Sequence, residues 1–354
     1  MLVVHNPDHA LHAGRQEMFR GRLVPCHEGP ARLEHVRDEC RRRGVGALRT
    51  PADMAGADDG EFERLLARIH APRYLRFLEH AWDEWVALDP RHAALDALPS
   101  VWPVRGFRAD VEPENFAARM GLYSFDAGTP RTAGSWAAAR AGAHCAFLAA
   151  REVAARRSAS AFALTRPPGH HAGADFFGGY CFLNNAALAA QALRDAGADR
   201  VAVLDVDYHH GNGTQSIFWE RSDVLTVSIH GAPRTEYPFY LGHADERGAG
   251  AGEGFNLNLP LPRGTGFPRW LEALEHAASA VRAFGAQALV VPLGVDTFEG
   301  DPISGFRLRS DDYLRVGERL AALKLPTVFT FEGGYAVAEV GVNAVNVLEG
   351  FVNA

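Results

Sequence analysis

Val201-Ala-Val-Leu-Asp-Val-Asp-Tyr-His-His210 begins with four apolar residues and ends on alternating acids and imidazoles. A run that is short, β-branched at its start and bounded by polar residues predicts a strand over Val201–Asp207, buried on both faces. It is flanked by a helical pattern at Asn184–Ala196 and by a second apolar run at Val224–Ile229. The alternation continues in both directions. Upstream lie the Ala-rich helix Ser135–Arg156 and the apolar run Ala161–Thr165. Downstream come helix Arg269–Phe284, strand Ala288–Leu293, helix Asp311–Leu323, strand Thr327–Phe331 and helix Val337–Phe351. Strands alternating with helices predict an α/β fold, a single domain with a mostly parallel central sheet and helices on both faces. Residues 1–5 read as a further strand, and 30–43, 60–71 and 73–88 as helices. Residues 100–133 carry Pro103, Pro113, Pro130 and several Gly and Asp, which predicts a long irregular loop.

At 354 residues and 47% apolar content the chain can bury the core of one large domain. Its net charge of -7 argues against a nucleic-acid partner and is compatible with a small cationic substrate. Cys26, Cys40, Cys145 and Cys181 form no Cys-x-x-Cys pair, which excludes a zinc ribbon and a thioredoxin motif and fits a reducing compartment. The first residues lack a basic segment followed by an apolar run, and no stretch reaches the roughly 18 apolar residues of a membrane span. A cytoplasmic protein with no membrane partner is the expectation.

In sheets of this kind ligands sit beyond the carboxyl ends of the strands. Four groups of reactive side chains fall there: Arg166-Pro-Pro-Gly-His170-His171, Asp205-Val-Asp207-Tyr-His209-His210-Gly-Asn212, Asp296, and Glu332-Gly-Gly-Tyr335. In extended backbone Asp205, Asp207 and His209 point to one side and can converge. A carboxylate and an imidazole, joined by a third ligand from another strand, make a catalytic zinc site with an open position. Taken alone, Asp-x-His fits turn and capping roles as well. Asp205 is then a candidate carboxylate partner behind the site. Of His170 and His171, one can take a proton from water and the other can supply one to a leaving amine, although either could instead pack structurally. Tyr335, on a Gly-rich turn, could donate to a developing oxyanion, but most tyrosines are packing residues.

Together, Arg166-Pro-Pro-Gly-His-His171, Gly178-Gly-Tyr-Cys-Phe-Leu-Asn-Asn185, Asp205-Val-Asp-Tyr-His-His-Gly-Asn-Gly-Thr214, Leu293-Gly-Val-Asp-Thr-Phe298 and Glu332-Gly-Gly-Tyr335 resemble the zinc-dependent histone deacetylase superfamily. The resemblance spans nearly the whole chain and is strongest over 161–335. Within it, Leu11–Pro25 and Asp296-Thr-Phe-Glu-Gly-Asp-Pro-Ile-Ser304 are similar to the bacterial acetylpolyamine amidohydrolases. The resemblance implies an arginase/deacetylase-like fold, with Asp207, His209 and Asp296 as ligands of one zinc ion. It implies His170 and His171 as tandem catalytic histidines, Asp205 as the partner of His170, Asn212 as the residue behind His171, and Tyr335 as the transition-state tyrosine. Asn212, being neutral, leaves His171 less basic than a carboxylate would. Glu17, Gly179, Tyr180, Tyr237 and Ile303 are implied as substrate-binding residues. A structural monovalent cation, usually potassium, is implied at Asp205, Ser228 and the main chain of Asp207, His209 and Ile229, with a second around Phe218, Arg221 and Val224. A homodimer, with loop 100–133 at its interface and at the tunnel rim, and a small cationic acetylated amine as partner are carried over likewise.

The chain departs from the relatives at the rim. Two acidic positions of the long loop are Ala117 and Gly128, with Glu112, Glu114 and Asp126 nearby. This favours a shorter acetylated diamine or another small acyl-amide, and acetyl-lysine in proteins stays open. A binuclear hydrolase of the arginase type needs Asp-x-His-x-Asp, and position 211 is glycine. A binding protein without catalysis is the third reading, disfavoured because every reactive group is present.

Overall fold

The computed structural model describes residues 1–54 and 59–354. Its strands are β1 (Leu2–His5), β2 (Gln16–Phe19), β3 (Arg22–Pro25), β4 (Ala47–Arg49), β5 (Ser160–Leu164), β6 (Val201–Asp205), β7 (Val224–Gly231), β8 (Asn256–Leu261), β9 (Ala288–Leu293) and β10 (Thr327–Phe331). Its helices are α1 (Ala31–Arg43), α2 (Asp59–Ile69), α3 (Pro72–Leu88), α4 (Phe116–Leu122), α5 (Ser135–Ala154), α6 (Asn185–Asp195), α7 (Asn212–Phe218), α8 (Phe267–Phe284), α9 (Asp312–Ala321) and α10 (Val337–Asn353).

Eight strands form one sheet in the order β4-β1-β5-β10-β9-β6-β7-β8, every pair parallel, while β2 and β3 make a separate antiparallel hairpin. The central strands are apolar on both faces because each face is covered. Side chains alternate across a strand, and the two cores divide accordingly. Val4, Ala161, Ala163, Val201, Val203, Val290 and Val328 pack with α2, α3, α5 and α6. Val3, Phe162, Leu164, Ala202, Leu204, Leu289, Val291 and Phe329 pack with α1, α8, α9 and α10. The parallel order sets the carboxyl ends of β5, β6, β9 and β10 along one edge, so the loops carrying the four reactive groups meet there. Among the described residues no helix is long and apolar enough to cross a membrane.

Two expectations need correction. The strand expected over Val201–Asp207 stops at Asp205. The Asp205 side chain accepts from its own chain two residues on, Asp207 N at 3.1 Å, and Asp207 Oδ1 accepts from His209 N at 2.8 Å. Such turns compete with ladder pairing, so two successive turns, not a continued strand, aim Asp207 and His209. The loop expected to be irregular over 100–133 contains α4, whose N-terminus is capped by Asn115 Oδ1 accepting from Ala118 N at 3.1 Å. The sequence reading also passed over the hairpin β2–β3, the short strand β4, helix α7 and the edge strand β8, whose alternating Asn256-Leu-Asn-Leu-Pro-Leu261 is too polar to read as a buried run.

Candidate active site

Asp207 and His209 lie beyond the end of β6, and Asp296 lies beyond the end of β9. One ligand atom from each lies within 4.8 Å of the other two, and all three residues are buried. His209 Nδ1 is 2.8 Å from Asp296 Oδ2 and 3.4 Å from Asp207 Oδ1. The remaining carboxylate oxygens are held by the main chain: Gly333 N donates to Asp207 Oδ2 at 2.7 Å and Tyr208 N to Asp296 Oδ1 at 2.8 Å. Burial, and then the neighbouring charge of Asp207, push the Asp296 carboxyl up to about 7. Two buried carboxylates crowded around one imidazole fit a divalent cation, since the donor set is hard oxygen plus nitrogen and supplies three ligands. A second group, His170, Cys181 and Glu332, is equally close. Its donors are already committed: Glu332 Oε2 accepts from Gly169 N and His170 N at 2.6 and 3.1 Å, Glu332 Oε1 accepts from Thr330, and the Cys181 thiol donates to Gly179 O.

His170 and His171 stand side by side with ring centroids 4.1 Å apart. His170 Nδ1 faces Asp205 Oδ2 at 2.9 Å, and its Nε2 is 3.8 Å from Asp207 Oδ1. Burial opposes its charged form, yet the two carboxylates prevail and raise its pKa to about 10. His171 Nδ1 meets the neutral Asn212 Oδ1 at 2.7 Å. Burial, and then the charge of His170, hold its pKa well below the ordinary value. The paired imidazoles are thus driven apart, one toward the cation and one toward the neutral base.

Tyr335 hangs from the turn after β10, and that turn is tied on every side. Tyr335 N donates to Asp301 Oδ2 at 2.7 Å. Arg32, from α1, donates to Gly334 O at 2.6 Å and to Glu332 O, and its guanidinium lies 4.5 Å from the centre of the Tyr335 ring. Gly333 is required here, because a Cβ would lie 2.5 Å from Asp207 Oδ2 and 2.6 Å from Asp296 Oδ2. Glu28 joins this turn to the histidine turn. It accepts from Arg32 at 3.0 Å and from Arg166 at 2.7 and 2.9 Å, with all three side chains buried. Burial holds the Tyr335 phenol well above its ordinary range, so it keeps its proton.

A cavity of about 290 Å³ leads to this floor. His171, His209 and Tyr335 lie at its base, Gly179, Tyr180, Tyr237 and Asp126 in its walls, and Met18, Arg20, Phe239 and Ile303 also line it. Gly179 has a φ of 54°, and a Cβ there would lie 2.2 Å from His171 Cδ2. Glu17 does not line the cavity. It is buried behind the wall, accepting the Tyr180 hydroxyl at 2.9 Å and meeting His27 Nδ1 at 2.7 Å. The remaining expected positions lie behind the site. Asp205 and Ser228 line a small buried cavity with His210, Gln215 and Asn258, and Ile229 follows Ser228 in β7. Phe218, Arg221 and Val224 fall together between α7 and β7, where Arg221 N donates to Phe218 O.

Several residues of this arrangement escaped the sequence reading. Arg32 and Glu28 precede the regular half of the chain, and their partners are 302 and 138 residues away. Their i, i+4 spacing is a signal, but surface helix pairs share it. Asp126 was seen only as one of three nearby acids. Asp301 and Glu332 stand beside the expected metal and tyrosine positions in the sequence, with no spacing that shows what they hold.

Residues 26–351 match the model of the histone deacetylase domain. The chain is 52% identical over 351 residues to acetylpolyamine amidohydrolase 2 of Pseudomonas aeruginosa, covering 99% of this chain and 98% of that protein. It is 51% identical over 355 residues to acetylpolyamine amidohydrolase 1 of the same organism, covering 100% and 99%. A crystal structure of acetylpolyamine aminohydrolase from Burkholderia pseudomallei superposes with a TM-score of 0.90 at 38% identity, covering 99% of this chain and 98% of that one. With the domain match, the parallel sheet and the residue cluster at its edge in agreement, this chain belongs to the histone deacetylase family.

Proposed function

We propose that this protein is a zinc-dependent amidohydrolase that removes acetyl groups from small acetylated amines, the acetylpolyamines and short acetyldiamines such as acetylputrescine, acetylcadaverine and acetylspermidine. The observation that carries the reading is the meeting of three buried metal-ligand side chains, two imidazoles of opposed basicity and one protonated phenol at the floor of a tyrosine-walled tunnel. The names of the full-length relatives support the choice of amine.

Asp207, His209 and Asp296 would hold the zinc ion. Bound there, zinc supplies Lewis-acid polarisation of an amide carbonyl and of a water molecule. The protein's own groups divide the proton work. Asn212 Oδ1 accepts from His171 Nδ1, so the neutral ring carries its proton there and leaves Nε2 free to take one. His171 is the general base and then the acid for the departing amine. His170, held charged between Asp205 and Asp207, stabilises negative charge. Tyr335 donates its hydroxyl proton as a hydrogen bond to the developing oxyanion. Asp205 positions His170. Gly179, Tyr180, Tyr237 and Ile303 bind the acyl and alkyl chain, and Glu17 acts through Tyr180. A structural potassium ion is proposed at Asp205, Asp207, His209, Ser228 and Ile229, and a homodimer through residues 100–133. A cytoplasmic setting accords with the sequence expectation.

Metal analysis of the purified protein together with turnover of acetylputrescine, acetylcadaverine, acetylspermidine and an acetyl-lysine peptide tests the proposal. The expected result is one zinc per chain and faster turnover of the small amines. Two metals per chain would point to the binuclear reading, and faster turnover of the peptide would overturn the substrate class.

A further inference from the structure

Both tunnel tyrosines are backed by carboxylates. Tyr180 Oη donates to Glu17 Oε1 at 2.9 Å, and Tyr237 Oη donates to Asp126 Oδ2 at 2.7 Å. The two acids differ in what else they meet. Glu17 meets His27 Nδ1 at 2.7 Å, a hydrogen bond that raises the imidazole's pKa and gives this acid a basic partner. Glu236, another acid lining the cavity, is paired with Arg263 at 3.1 Å. Asp126 has no cationic partner among the described residues. Its four donors are neutral: Gly128 N and Thr129 Oγ1 at 3.1 Å on Oδ1, and Gly179 N at 2.8 Å and Tyr237 Oη on Oδ2. It is partly buried and lines the cavity.

Resting on the amine-deacetylase reading, we propose that Asp126 is the residue that makes the tunnel select a cationic alkyl chain. A partly buried carboxylate in a cavity wall, with no counter-ion among the described residues, attracts a cation passing along it more strongly than one in water. The attraction is also relayed. A phenol that donates to a carboxylate has a more electron-rich ring, and a ring face attracts ammonium groups. Phe125, the residue before Asp126, stacks on Tyr237 with centroids 5.8 Å apart, fixing that ring in place. Asp126 need not touch the ammonium, since all its acceptor positions are filled. It sets the potential of the wall and holds Gly179 and Tyr237 in one register. This gives a source of cation preference even though positions 117 and 128 are Ala and Gly. It acts against Arg20, an exposed cation that also lines the cavity.

The test compares N-acetylputrescine with N-pentylacetamide, in which a methyl group replaces the terminal ammonium. kcat/KM for both is measured in the parent protein, Asp126→Asn, Asp126→Glu and Tyr237→Phe. The parent should prefer the cationic amide at least about tenfold. In Asp126→Asn the cationic amide should lose at least about tenfold more than the neutral one. Asp126→Glu, which keeps the charge, should regain most of the preference. Tyr237→Phe removes only the relay and should weaken the preference by a smaller factor, and it decides the matter if neither Asp126 variant folds. An equal fall on both amides in Asp126→Asn, or an unchanged preference in Tyr237→Phe, would overturn the inference. A parent protein that hydrolyses neither amide overturns the deacetylase reading itself, and the inference with it.

Discussion

Replacing Gly333 by alanine adds one methyl group between the two carboxylates of the proposed metal cage. The added carbon would lie 2.5 Å from Asp207 Oδ2 and 2.6 Å from Asp296 Oδ2, whereas ordinary contact begins at 3.4 Å. One or both carboxylates must move by about 0.9 Å, beyond the ~0.5 Å within which a preorganised site has to be held. The same methyl disturbs the Gly333 N–H donation to Asp207 Oδ2 at 2.7 Å, which fixes the carboxylate's orientation. Loss of such an orienting contact lowers metal affinity by about 10- to 100-fold. Gly333 has no left-handed φ, so alanine is tolerated by the backbone and the effect is confined to the ligands. Zinc affinity, measured by competition with a chromophoric chelator, should fall by that factor, while turnover at saturating zinc falls less. Unchanged zinc affinity would refute the assignment of Asp207 and Asp296 as ligands. Gly294→Ala is the harsher companion, its methyl lying 1.9 Å from Asp207 Oδ2.

Further outcomes follow from other parts of the site. Tyr335→Phe should retain zinc and lose about 10²- to 10³-fold in kcat, as removal of an oxyanion donor does; near-normal turnover would defeat the role given to the phenol. Glu28→Gln leaves Arg32 and Arg166 buried without their shared anion, and should cost about 3–5 kcal/mol in a denaturant titration. His70 is buried as a neutral ring, with Nδ1 bonded to Gly173 O at 2.9 Å and Nε2 accepting from Asn184 N at 3.0 Å. Burial lowers its pKa from 6.5 to about 4. Because the folded value is the lower one, its stabilisation is complete above 6.5 and is lost as the pH falls toward 4, about 2 kcal/mol of it by pH 5. His70→Gln should therefore be less stable at neutral pH yet lose less on acidification, and an unchanged slope of stability against pH would contradict this.

Much of this protein was determined by the sequence alone. Two-sided apolar strands at 201–205, 288–293 and 327–331 can be buried only in a covered parallel sheet, so the α/β class and the gathering of reactive groups at strand ends were legible residue by residue. That Asp207, His209, Asp296, His170, His171 and Tyr335 form one reactive group could be read too, because each follows a strand end, where the fold class places ligands, while their separate roles came from the family resemblance.

The tertiary structure decided what depends on contacts between distant segments. Short-range turns ended β6 at Asp205, against a periodicity that runs on to His209. The opposed basicities of His170 and His171 arise from tertiary neighbours: the carboxylates of Asp207 and Asp205 raise His170, while burial and the charge of His170 lower His171. The resemblance implied Glu17 as a substrate-binding residue, and the fold turns its carboxylate to Tyr180 and His27, behind the wall. Asp126 is one loop acid among three in the sequence, and only the folded chain sets it in the tunnel wall without a counter-ion among the described residues. The physical reason is common to all of these. Hydrophobic period is a local property of the chain, whereas the charge felt by a group, and the direction it faces, are set by neighbours that only folding brings near.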